Sequence, residues 1–315
     1  SLLSSEELEE IFTTIFENYT IAEGAEITLE ANPDDLSLEL INQFDSSPIN
    51  RLSIGVQSFF ENDLKLMNRA HNANEALECI KIAKNKFQNI SIDLIYGIPG
   101  MDVERWNKNL DIAMSLGVPH LSCYALTVEP KTALASFIKK GKVAPVDDEI
   151  SAEHYRILQE VAHREGYENY EFSNFGMKGY ESKNNMAYWQ GKHYLGIGPS
   201  AHSYDGDTRS WNVSNNSIYI KSIQSGSLPF AYETLSTEDK YNEYIMTGLR
   251  TKWGVSLDNI ERSFGHKFRE HLIKQAANYV VDGMLDWDNE VLHVTKKGKF
   301  LSDGIAANLF LVNLD

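Results

Sequence analysis

The stretch Ile92-Asp93-Leu94-Ile95-Tyr96-Gly97-Ile98-Pro99-Gly100 decides the fold, because it sets a carboxylate inside an apolar run that ends at a Gly and Pro turn. An apolar run of this length reads as a strand buried on both faces, the kind found in parallel sheets. A carboxylate such as Asp93 is costly there unless something pairs with it. Two further stretches repeat the arrangement: Glu26-Ile27-Thr28-Leu29-Glu30 before Ala31-Asn32-Pro33, and Arg51-Leu52-Ser53-Ile54-Gly55-Val56-Gln57-Ser58. Barrels of alternating strands and helices carry their functional groups at the carboxyl ends of the strands. Glu30, Gln57 and Asp93 are therefore predicted to line one pocket, with a ligand as their partner.

Helical spacing surrounds these strands. Ser4 and Glu7 make a capping box ahead of Leu8, Ile11, Phe12, Ile15 and Phe16. Helices fit residues 36–44, 63–67, 73–84 and 103–116, separated by apolar runs at 52–56, 90–95 and 120–126. A helix over 148–165 then leads to a strand at 167–172. Strand and helix in alternation predict a parallel sheet with right-handed crossovers, a (β/α) barrel core over residues 1–175. The pattern breaks after Phe175, where Gly, Asn, Ser and aromatics replace periodic apolar residues. Residues 176–235 are read as a long loop or cap region over the site. Helices return at 236–315, with a helix-turn-helix pattern around Gly254, a hairpin across Asp288-Asn289 and a last helix, which is winged-helix-like composition.

Composition narrows the function. A chain of 315 residues with 42% hydrophobic content can bury one large core and carry a smaller second domain. A formal net charge of -16 argues against nucleic acid and against anionic membrane surfaces. No apolar run is long enough to span a bilayer, and Ser1-Leu2-Leu3-Ser4-Ser5-Glu6 lacks the regions of a signal peptide, so the cytoplasm is the expected location. Cys79 and Cys123 lie far apart and suggest neither a disulfide framework nor a Cys-rich metal site.

Taken in series, Glu30-Ala31-Asn32-Pro33, Arg51 to Phe59, Met67-Asn68-Arg69-Ala70-His71 and Ile92 to Pro99 closely resemble the radical S-adenosylmethionine family of oxygen-independent coproporphyrinogen III oxidases and their haem-chaperone relatives. Tyr170-Glu171-Phe172-Ser173-Asn174-Phe175, Tyr188-Trp189 and Gly198-Pro199-Ser200-Ala201-His202-Ser203-Tyr204 look like the haem-chaperone HemW branch. The resemblance spans almost the whole chain, including the winged part. It implies an incomplete parallel barrel in which Cys-x3-Cys-x2-Cys holds a 4Fe-4S cluster and S-adenosylmethionine binds the remaining iron. By motif, Glu30, Gln57, Arg69 and Asp93 would contact that cofactor's amino acid and ribose parts, with Ala125 and His202 near its adenine end. The residue types suit this: carboxylates accept from hydroxyls or an ammonium group, and Arg pairs with a carboxylate in a charge-assisted fork. The plainer alternative makes Arg69 and His71 a solvated helix end.

The resemblance further implies a protein that binds haem and transfers it to haem-accepting proteins. The alternative is an oxidase that generates a radical from S-adenosylmethionine to decarboxylate the propionates of coproporphyrinogen III; a third reading is a fragment with an interaction role only. No catalytic residue is assigned. The cysteine triad of the family is absent, the chain starting where the family continues after it, so it is read as the body of a longer protein lacking the first strand-helix unit, with no cluster-binding residues of its own. The branch motif His-Asn-x-x-Tyr-Trp stands here as Asn184-Asn185-Met186-Ala187-Tyr188-Trp189. Asn185, Tyr188 and Trp189 are carried over as the haem region, but an amide at Asn184 does not replace imidazole as an iron ligand. His193, His202 and Met186 stay open as substitutes. Tyr188, Trp189 and Tyr194 equally fit a packing cluster, and Arg209 and Asn212 are in the same open class.

Overall fold

Ser4 caps the first helix, α1 (Ser5–Asn18), through the predicted box with Glu7. There follow β1 (Thr28–Ala31), α2 (Leu38–Asp45), β2 (Arg51–Gln57), α3 (Glu61–Leu66), α4 (Ala73–Lys84), β3 (Ile90–Tyr96), α5 (Val103–Leu116) and β4 (His120–Ala125). The computed structural model describes residues 3–312; Ser1 and Leu2, which open the segment read as lacking a signal peptide, lie outside the described residues. β1 to β4 pair in parallel and in chain order, as the alternation predicts. The first unit, ending at Ser182, is completed by α6 (Ala133–Lys139), α7 (Asp148–Arg164), β5 (Glu168–Glu171) and β6 (Asn174–Gly176).

The sheet order is β1-β2-β3-β4-β6-β5. The wholly parallel expectation is corrected at this end, where β6 runs antiparallel to both β4 and β5. Only Phe172 and Ser173 join β5 to β6, and a parallel crossover needs a dozen residues or so.

The two faces of the sheet differ in chemistry. Leu52, Ile54, Val56, Ile92, Leu94, Tyr96, Leu121 and Cys123 are excluded from water, and Trp106 of α5 and Tyr155 of α7 pack on Tyr96. The opposite face carries Arg51, Ser53, Ser91, Asp93, His120 and Ser122. In register, Ser53 lies beside Glu30 and Ser91, while Asp93 lies beside Ser122. Apolar runs broken only at their carboxyl ends are therefore not what these strands are; polar residues alternate along their length, one face for each kind.

Much of the polar face is buried and satisfies itself. His120 Nδ1 lies 2.7 Å from the Ser91 hydroxyl and Nε2 2.8 Å from the Tyr170 hydroxyl, which accepts the Ser182 N–H. Arg51 pairs with Glu26 at 3.9 Å. Burial first, and the Arg51 charge second, hold His120 down at about 3, so it is the neutral imidazole that occupies this network.

The second unit begins at Lys183 with α8 (Lys183–Trp189), β7 (His202–Tyr204), β8 (Thr208–Asn212), α9 (Asn216–Gln224) and β9 (Phe230–Thr234). The long loop expected over 176–235 is corrected to a folded segment, in which β7, β8 and β9 form an antiparallel sheet in that order. Asp205 closes the first hairpin by accepting the N–H groups of Asp207 and Thr208. Strands of three to five residues carry too little alternation to register as strands in the sequence.

The unit continues through α10 (Thr237–Leu249), β10 (Val255–Ser256), α11 (Leu257–Phe264), α12 (His266–Val281), β11 (Leu285–Asp288), β12 (Val291–Val294) and α13 (Ser302–Asn308). Tyr241, Ile245, Ile260, Leu272 and Leu292 form its core, and the β10-β12-β11 sheet is the wing that the sequence predicts. No helix among the described residues is long and apolar enough to cross a membrane.

Candidate functional site

On the polar face of the first unit, β1 delivers Glu30, β2 delivers Ser53 and Gln57, and β3 delivers Asp93. Glu30 is exposed and Asp93 half-buried. The Ser53 hydroxyl reaches Asp93 at 3.5 Å. Burial, and next the neighbouring charge of Glu30, push the Asp93 carboxyl from 3.8 up to about 6, against the opposing pull of Ser122, Arg51 and Ser53. The one cation that acts on this carboxyl among the described residues, Arg51, is paired with Glu26, so the carboxyl favours a ligand that brings hydrogen-bond donors or positive charge.

Two residues beyond Ser53 on the same face, about 7 Å along the strand, Gly55 forms the floor of a second cluster. A Cβ at Gly55 would stand 2.9 Å from Gln57 Nε2, 3.2 Å from Asn32 Oδ1 and 3.3 Å from the Arg69 guanidinium. Only glycine leaves that space open. Arg69 donates to Asn32 Oδ1 at 2.5 Å and to the Gly55 carbonyl at 3.3 Å. His71 is buried, with Nε2 3.0 Å from the Val56 carbonyl and Nδ1 3.5 Å from Asp34, and so fixes the Arg69 segment to the end of β2. His71 is thus not solvated, although it does pair with an acid, and Arg69 is half-buried.

Gln57 owes its position to backbone geometry. The β2–β3 register slips between Ile54 and Gln57, and Gln57 ends the strand at φ 67°, a left-handed conformation uncommon for a residue with a side chain. Bulges beside functional sites re-aim a side chain, and the residue they strain is held there by its surroundings. The loop after β3 is equally constrained: Gly97 has φ 70°, and a Cβ there would collide with the Ser151 side chain.

The four residues Glu30, Gln57, Arg69 and Asp93 therefore share one sheet face near one edge. Ala125 ends β4 at that edge, but it pairs with Tyr96 and its side chain belongs to the helix-covered face. His202 opens β7 in the second unit, with its ring 6.2 Å from Trp211. Asn32, Ser53, Gly55 and Ser122 are site residues that the sequence reading missed. The available signal was the period-two polar alternation in β2 and β4, together with Asn32 inside the quoted Glu30-to-Pro33 motif.

In the second unit, Asn185, Tyr188 and Trp189 all lie on α8. Tyr188 and Trp189 line a cavity of about 600 Å³ with Tyr194, Tyr204, Arg209 and Phe264. That volume lies in the range of small-molecule and cofactor pockets. The rings of Tyr188 and Tyr194 meet edge to face at 4.6 Å, and the Arg250 guanidinium covers Trp189 at 5.3 Å. His193 and His202 are both exposed and are not among the residues lining this cavity.

Residues 1–113 match the model of the radical SAM superfamily, and residues 235–301 match that of the HemN C-terminal domain. Heme chaperone HemW of Lactococcus lactis is 32% identical over 316 residues, spanning 100% of this chain and 83% of its own length. Heme chaperone HemW of Bacillus subtilis is 33% identical over 283 residues, spanning 89% of this chain and 75% of its own. Among solved structures, coproporphyrinogen III oxidase (HemN) from Escherichia coli superposes with a TM-score of 0.83 at 22% identity, over 98% of this chain and 75% of that one. At that identity the likeness is one of fold.

Proposed function

The chain belongs to the radical S-adenosylmethionine superfamily, in its HemN-like HemW branch, and on that premise we propose that it binds haem and hands it to haem-accepting proteins. The observation that carries this reading is the correspondence, over 100% and 89% of this chain, with two relatives named heme chaperones. The aromatic cavity behind Tyr188 and Trp189 supports it, since a flat apolar ring with carboxylate arms suits aromatic walls beside Arg209 and Lys240.

The residues of the first unit fit S-adenosylmethionine. Arg69 is the partner for its methionyl carboxylate, Glu30 suits its ammonium group, and Asp93 suits the ribose hydroxyls, while Gln57 and Asn32 flank the open floor at Gly55. When bound, S-adenosylmethionine supplies a sulfonium whose carbon–sulfur bonds are activated for cleavage. The chain's own part is to orient the nucleoside and neutralise its carboxylate.

The thiols present do not fit a 4Fe-4S cluster. Cys79 on α4 and Cys123 on β4 are both buried, and burial pushes the Cys79 thiol up to about 12 and the Cys123 thiol upward as well. Thiolates, not thiols, ligate iron.

Titration of the chain with ferric haem is expected to shift the Soret band, and Tyr188→Ala to weaken binding about tenfold by removing one wall of the cavity. A wild-type chain that leaves the haem spectrum unchanged would refute the chaperone reading. In the first unit, Gly55→Ala is expected to lower S-adenosylmethionine affinity about tenfold, because the added methyl crowds Gln57 and Arg69. Calorimetry reads this. Equal affinity in the variant would mean that the floor at Gly55 is not where the nucleoside sits.

A further inference from the structure

Resting on the haem-binding reading, we infer that Tyr194 is the axial ligand of the ferric haem iron, in the cavity it shares with Tyr188 and Arg209. Four tyrosines line that cavity: Tyr188, Tyr194, Tyr204 and Tyr244. Two have committed hydroxyls. Tyr204 donates to the Gly206 carbonyl at 3.2 Å, and Tyr244 accepts the Ser256 N–H at 3.1 Å. The hydroxyls of Tyr188 and Tyr194 make no hydrogen bond to any described residue.

Two observations separate Tyr194 from Tyr188. Its backbone is fixed by paired hydrogen bonds with Tyr204, both 2.9 Å, whereas Tyr188 lies at 47% exposure in the last turn of a short helix. A ligand on a fixed backbone holds its geometry. Its ring is half-buried and meets the Tyr188 ring at its edge, which leaves Tyr188 as a wall. Burial raises the Tyr194 phenol above its ordinary value and the Arg209 charge only opposes that rise, so the phenolate forms on the iron and not before it.

The competing ligands are excluded by position. Asn184 replaces the imidazole of the branch motif, and none of His193, His202 and Met186 lines the cavity. Met246 does line it, but packs on the core of the unit. Glu243 is engaged by Arg209. Tyrosinate is an established ligand of haem iron.

The exchange balances without redox chemistry. The phenol O–H of Tyr194 breaks, its oxygen gives an electron pair to ferric iron, and its proton joins the hydroxide that leaves the iron as water. Arg209 sits beside the resulting anion and offsets its charge; Arg209 is itself held by Glu233 at 3.4 Å and by Glu243.

The test compares hemin with iron-free protoporphyrin IX on the full chain. Hemin bound to wild type is expected to show a phenolate-to-iron charge-transfer band and, on excitation into it, the ring vibrations of a coordinated tyrosinate in the resonance Raman spectrum. Tyr194→Phe should abolish both and weaken hemin binding at least about tenfold, with iron-free porphyrin bound as in wild type. That second ligand also reports that the variant is folded. Retention of the tyrosinate vibrations in Tyr194→Phe overturns the assignment, as does a parallel loss of hemin and iron-free porphyrin, which would make Tyr194 a packing residue. Loss of the signature in Tyr188→Phe instead moves the ligand to Tyr188 and overturns it too. Hemin binding by wild type without a tyrosinate signature refutes this inference and leaves the haem-binding reading standing; no hemin binding at all refutes that reading itself.

Discussion

Asp93→Asn is expected to stabilise the first unit at neutral pH by about 3 kcal/mol while weakening S-adenosylmethionine binding about 10- to 100-fold. Burial and the charge of Glu30 raise this carboxyl from 3.8 to about 6 in the folded chain. Between roughly pH 4 and 6 the native protein therefore holds the proton more tightly than the unfolded chain does. This stability is fully present below the unfolded value and is lost as pH rises through about 6. A span of roughly two pH units, at about 1.4 kcal/mol for each, gives the loss of about 3 kcal/mol.

Asparagine has no charge to bury, so the variant escapes that loss. The difference in stability between variant and wild type should be small near about pH 4 and reach its full value by about pH 7.5. His120 titrates in the opposite sense, its depressed value costing stability as pH falls below its ordinary range, but it is common to both proteins and drops out of the difference. Hydrogen exchange at the β3 amides across a pH series measures this. A difference that stays flat would mean that Asp93 pays no burial penalty. The binding half has its own signature: wild-type affinity for S-adenosylmethionine should rise with pH through about 6 as the carboxylate forms, and the Asp93→Asn affinity should not.

Trp106→Ala should produce the largest loss of stability, about 3–5 kcal/mol. Trp106 is wholly buried, its indole N–H donates to the His154 carbonyl at 2.8 Å, and its ring lies 5.8 Å from that of Tyr96. Its removal leaves a cavity between α5, α7 and β3 and strips the His154 carbonyl of a donor. The effect should reach the site edge, because His154 Nδ1 accepts the Gly97 N–H at 3.2 Å and so anchors the loop after β3. Thermal unfolding of the first unit should fall by about 10 °C, and Trp106→Phe, which keeps most of the volume, should lose well under half as much. Equal losses in the two variants would assign the effect to the hydrogen bond rather than to the cavity.

Sequence alone determined the parallel core and the residues that face its edge. Strands β1 to β4 and helices α4 and α5 were legible because each has its own periodicity and caps, signals carried by residues within a few positions of one another. Glu30, Gln57 and Asp93 were legible because each interrupts a local pattern in a way that asks for a partner, whereas Arg69 came only with the resemblance of its motif. The winged part was legible for the same reason.

Tertiary structure alone decided how these residues meet. The Gly55 floor exists through the approach of Asn32 and Arg69, which are 23 and 14 positions away in the chain, to a bulged strand end that no local pattern announces. The rise of Asp93 comes from burial by the sheet and from Glu30 on another strand. The neutrality of His120 likewise depends on Arg51 and on enclosure by residues 170–182. Hydrogen bonding along a strand and capping of a helix are short-range and can be read from neighbours in sequence, whereas burial and charge act through space, and their values exist only once the chain is folded.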